Sequence, residues 1–168
     1  MIKKWAFLLF LILTAALLQS TLFFRLSIRY AVPDIALLIL VFISYTNGRH
    51  VGQISGFLGG LLLDFISFAP LGLNMFIRTV IGSLAGLLRG AFFLDPVFLP
   101  MVLCAGATFL KAGFLAALSL LFSGGIPAYN FSVATFWIEL GLNTLLAPFL
   151  FAFLRLFSNL LIIKTGSD

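Results

Sequence analysis

Long apolar runs separated by short polar or glycine/proline breaks make up nearly the whole chain. Marking each run and its breakers predicts helices over about Trp5 to Phe24, Val32 to Tyr45, Val51 to Ala69, Leu73 to Leu88, Val97 to Phe122 and Ser132 to Phe157. A spanning helix needs ~20 apolar residues at ~1.5 Å each. The second segment, starting at Pro33 in a favourable first-turn position and stopping at Thr46-Asn47-Gly48-Arg49, is short for that purpose. It either borrows from the Ser27 to Ala31 stretch or lies between other helices, so the count is six or five. Pro148, inside the sixth segment, is expected to kink it, and the Arg155 to Lys164 tail to lie along the membrane surface.

Composition changes the picture from helical to membranous. Of 168 residues, 62% are hydrophobic and only 9% charged, against roughly 25% charged in a globular domain; the mean hydropathy is +1.23. Fifteen Lys, Arg, Asp and Glu cannot build a water-facing surface. Six spans of ~20 residues use about 120 positions and leave about 48 for tails and connections, so no extramembrane domain fits and residues 1–168 form a single transmembrane domain. The expected fold is all-α, a compact polytopic bundle.

A net charge of +5 is spread over single basic residues with no run or stripe, which argues against nucleic acid and for contact with anionic lipid headgroups. With six spans, one side carries Lys3, Lys4, Arg49, Arg89, Arg155 and Lys164 and the other only Arg25 and Arg29, which places both termini in the cytoplasm; five spans would put the C-terminus outside. The turn from Gly124 to Asn130 then faces outward, with Tyr129 at headgroup depth. The Lys3-Lys4 start and apolar run resemble a secretory signal, but no small-residue cleavage site follows, so an uncleaved first helix is expected.

Polar groups inside apolar segments carry the most information. Gly52, Gly56 and Gly60, with Gly59 beside them, recur every four residues and line one helix face; Gly82 and Gly86 repeat the device on the next helix. Such seams allow close backbone packing, within the bundle or against a partner. Asp64 extends the first seam, and an uncompensated carboxylate at this depth costs ~2.5–3.5 kcal/mol on insertion scales. Counting six residues from Asp64 to Pro70 and six from Gly72 to Arg78 puts both ~9 Å below one turn, so an Asp64–Arg78 pair is expected. Lys111 and Glu139 form a second candidate pair, and the amides of Asn74 and Asn143 need partners across helices. Asp34, opening the second segment after Pro33, is expected to cap backbone N–H groups. So many polar groups imply a polar interior, with room for a small ligand left open.

Chemistry is not indicated. One His and one Cys, Cys104, exclude a His/Cys zinc site within the chain. Gly52-Gln53-Ile54-Ser55-Gly56 misses the nucleophile pattern G-x-S-x-G by one position, and His50 nearby supplies no triad. No cofactor and no enzyme activity are expected.

Taken together, Pro33-Asp34, the Gly52, Gly56, Phe57, Gly60, Leu61, Asp64 series, Pro70-Leu71-Gly72 and the Gly82, Gly86, Arg89 series resemble the bacterial rod shape-determining protein family MreD from Pro33 to Arg89. The resemblance implies a non-enzymatic subunit of the cell-wall elongation machinery in the bacterial inner membrane. Its implied partners are the single-span protein MreC, the glycosyltransferase RodA, a class B penicillin-binding transpeptidase and, indirectly, the MreB filament. It also implies a fold like that of the S components of energy-coupling-factor vitamin transporters, which supplies the alternative function, small-ligand binding. S components usually carry A-x-x-x-A in the first helix, whereas Ala6, Ala15 and Ala16 here lack that spacing, which favours the scaffold.

Overall fold

A computed structural model describes residues 2–19, 31–67, 69–90, 97–122, 131 and 134–161 of the chain. Six long helices are present among them: α1 (Ile2–Leu18), α2 (Ile35–Asn47), α3 (Arg49–Ile66), α4 (Leu73–Leu87), α5 (Phe98–Leu121) and α6 (Ala134–Leu156); a single turn, α7 (Ser158–Leu161), follows. The Gly124–Asn130 turn with Tyr129, and Arg25 and Arg29, lie outside the described residues.

α2 is the axis of the fold. Every residue from Ala36 to Ser44 is buried, and the helix packs against α1, α3, α4, α5 and α6. A helix apolar on all sides belongs in an interior, and one surrounded by neighbours need not reach both faces of the bilayer. Its start corrects the expectation for Pro33: the first helical residue is Ile35, Asp34 is the cap, and Pro33 precedes it, its carbonyl accepting from the Ile35 N–H at 3.1 Å. Capping by the Asp34 side chain sets this boundary.

α3 and α4 form a tight hairpin whose contact is backbone on backbone. A Cβ at Gly56 would run into the Arg78 carbonyl, one at Gly60 would stand 2.5 Å from the Met75 Cα, and one at Gly86 2.6 Å from the Arg49 Cα; Gly52 and Gly82 lie against each other. All five glycines of the seam therefore serve the internal contact, and the partner-facing alternative falls, because α4 already fills the space. Gly72, at φ +93°, turns the chain into α4 in a left-handed conformation open to glycine without strain.

Among the described residues two helices, α5 and α6, are long and apolar enough to cross a membrane. α6 runs unbroken through Pro148. They pack along aromatic edges, Phe109 against Phe136 at 5.3 Å and Phe109 against Trp137 at 6.3 Å between ring centroids. The tail beyond α6 turns back onto the bundle as far as it is described: Leu161 is buried, and its carbonyl accepts from Asn47 Nδ2 at 3.0 Å. Outward-facing positions hold large apolar groups such as Leu120, 84% exposed, and Phe149, 74% exposed. In water so broad an apolar surface is a liability; in hydrocarbon it is the ordinary state.

Candidate functional site: a buried ion cluster

Near the α2 N-terminus four charged side chains from four helices meet. The Asp34 carboxylate, 1% exposed, accepts from Arg78 Nη2 at 2.8 and 2.9 Å through its two oxygens, and from Lys111 Nζ at 2.8 Å. Lys111 Nζ also donates to Glu139 Oε1 at 2.7 Å. Two positive and two negative groups thus form one connected, net-neutral unit joining α2, α4, α5 and α6. Charges removed from water are tolerated only when paired and hydrogen-bonded.

A neutral layer supports the charged one. Asn143 Oδ1 accepts from the Asp34 backbone N–H at 2.8 Å, while its amide donates to Thr108 Oγ1 at 3.0 Å, and Thr108 in turn donates to the Cys104 carbonyl at 2.8 Å. The Asp34 Oδ1 atom that meets Arg78 also accepts from the Leu37 N–H at 3.0 Å. The α2 N-terminus therefore finds acceptors inside the bundle, where backbone donors have no water to turn to.

Asp64 does something else, and here the expected Asp64–Arg78 pair is corrected. Its Oδ2 accepts from the N–H groups of Gly72 at 2.9 Å and Met75 at 3.1 Å, and its Oδ1 from the N–H of Asn74 at 2.9 Å and from Asn74 Nδ2 at 3.0 Å. The carboxylate sits on the α4 N-terminus, where three backbone donors and the positive end of the helix dipole compensate it without a cation. Matching depth was right to put both residues near one turn. Angle decides the partners: Asp64 faces the first turn of α4, whereas the Arg78 side chain turns inward to Asp34.

The structure brings Lys111 and Glu139 together and gives Asn74 and Asn143 the partners their amides need. It gives Asp34 its cap and, beyond that, the role sequence reasoning missed, as the shared counter-ion of Arg78 and Lys111. The shortness of α2 was visible in the sequence, but it does not by itself say that the helix starts where Arg78 and Lys111 can reach Asp34. His50 is exposed, Ser55 is buried, and among the described residues no group of His, Cys, Asp and Glu is placed to hold a metal.

Arg49 and Arg89 mark the opposite end, bonded to Ser83 Oγ at 3.2 Å and to the Asn47 carbonyl at 3.4 Å. So ordered an interior in so apolar a chain fits a membrane protein. The model of one family, rod shape-determining protein MreD, matches residues 1–157. The chain belongs to the MreD family. Membership carries a role in rod shape determination and a place in the membrane. No curated protein and no solved structure matches the chain.

Proposed function

We propose that this MreD-family chain is a six-span scaffold subunit of the cell-wall elongation machinery in the bacterial inner membrane, with both termini in the cytoplasm and a helical bundle similar to transporter S components. The observation that carries the reading is the family match over residues 1–157. The Asp34-centred cluster supports it physically, since ionic contacts across four helices and glycine-tight packing of α3 on α4 give a core that resists rearrangement. A rigid body of this kind offers fixed faces to neighbouring membrane helices. With connections this short, contacts to MreC, RodA and the class B transpeptidase fall within the bilayer or at its surfaces, and MreB is reached indirectly. The side with Arg49 and Arg89 faces the cytoplasm.

The test is capture of MreC from detergent-solubilised membranes by the tagged full-length chain. Retention of MreC through washing supports the scaffold, while its loss under conditions that keep the chain folded counts against it.

A further inference from the structure

Arg78 is only 5% exposed and reaches Asp34 through Nη2 alone. Its Nε and Nη1 are buried with no hydrogen-bond partner among the described residues. Lys111 is in a similar position. Two of its ammonium protons go to Asp34 at 2.8 Å and Glu139 at 2.7 Å, and the third has no partner among the described residues. Both cations therefore keep unmatched donors inside the bundle, and both stand against the same carboxylate. Buried donors without an acceptor are unfavourable, and so are two like charges side by side.

One small cavity, of about 10 Å³, is lined by both cations together with Asn74 and the apolar side chains of Leu37, Ile77 and Leu115. Asn74 brings the complementary group. Its Nδ2 donates to Asp64 Oδ1 at 3.0 Å, which fixes the nitrogen end of the amide, because a carboxylate only accepts. The other end, Oδ1, is an acceptor with no hydrogen bond among the described residues.

We propose that this cavity is the binding site of a single internal water, which accepts from Arg78 Nη1 and from the third Lys111 proton and donates to Asn74 Oδ1. Size selects the occupant: a water needs about 10–15 Å³ of such space, and nothing larger fits. Charge selects it as well. The cluster is already net neutral, so an ion would leave uncompensated charge in the interior, whereas water brings only a dipole. Its oxygen lies between the two cations and offsets their repulsion, while a proton goes to the neutral acceptor at the cavity. About three hydrogen bonds is the usual complement of a buried water. The site thus adds Asn74, in the first turn of α4, to the ionic unit centred on Asp34. This inference does not depend on the protein partners proposed above.

Proton-detected solid-state NMR of the full-length, isotope-labelled chain in bilayers of deuterated lipid tests the site, by following magnetisation from water protons to assigned arginine guanidinium groups. Arg49 and Arg89 are exposed and serve as the positive reference. The wild type is expected to show direct transfer to Arg78 despite its burial. Leu115→Phe, at a half-buried position on the cavity wall, is expected to fill the cavity and to lose the Arg78 signal while keeping those of Arg49 and Arg89. Transfer to Arg49 and Arg89 with none to Arg78 in the wild type overturns the proposal. Transfer to Arg78 that survives unchanged in folded Leu115→Phe overturns it too, since the water would then lie elsewhere. If Leu115→Phe does not fold, the wild-type spectrum decides alone.

Discussion

Asp34 and Asp64 are both buried carboxylates in a chain poor in charge, and they find their hydrogen-bond partners by different means. Asp34 is held by the cations Arg78 and Lys111, Asp64 by backbone donors of α4. The two respond differently to neutralisation. Asp34→Asn strips a charge from a connected set of four and leaves two cations facing Glu139 alone, an expected loss of about 3 kcal/mol or more. Asp64→Asn keeps one acceptor oxygen of the same size and is expected to cost about 2 kcal/mol, the scale of a hydrogen bond to a charged group. Thermal melting of the two variants in detergent gives the order. A double-mutant cycle gives the wiring: Arg78 should couple strongly to Asp34, while its effects add to those of Asp64 within ~0.5 kcal/mol. By the same geometry, exchanging the charges of Asp64 and Arg78 does not rescue either single variant, since the two share no contact.

Single residues also show where sequence stops informing. That Lys111, Glu139, Asp64 and Arg78 need partners follows from the cost of charge in hydrocarbon, and Lys111 with Glu139 was legible as a pair. Which partner Arg78 takes depends on the rotation of α4 about its axis and on how deeply α2 is sunk. Neither is written in the local pattern of apolar residues.

Between elements, glycine decides what is near. The α3/α4 seam leaves no room for a methyl group: at Gly56 a Cβ would overlap the Arg78 carbonyl. Gly56→Ala should push α4 from α3, disturb the Arg78 side chain that reaches Asp34, and cost ~1–3 kcal/mol, the usual range for overpacking. Gly113 and Gly141 have nothing within 4 Å of an added Cβ. Gly113→Ala should therefore be neutral or stabilising by up to ~1 kcal/mol, through the helix propensity of alanine. Melting temperatures of the pair separate glycine as a packing device from glycine as tolerated filler. The four-residue spacing made the seam legible, because spacing fixes the face; that the opposing face belongs to α4 required the hairpin itself.

For the whole molecule, long apolar runs and scarce charge were enough to give an all-helical membrane protein, and the helix bounds fell within a few residues at α4 and α5. The central place of α2 was not legible beyond its shortness, since a run of apolar residues looks the same whether it faces lipid or five neighbouring helices. Family membership supplies a role in rod shape determination, and in the proposed scaffold the ion cluster ties four elements of the bundle together. The most direct test is cell shape in a rod-shaped bacterium lacking its own MreD-family protein, complemented with wild type or Asp34→Asn at matched membrane levels. Wild type is expected to restore rods while Asp34→Asn leaves rounded cells. Rods of normal width with Asp34→Asn, or round cells with the wild type, would contradict the proposed role.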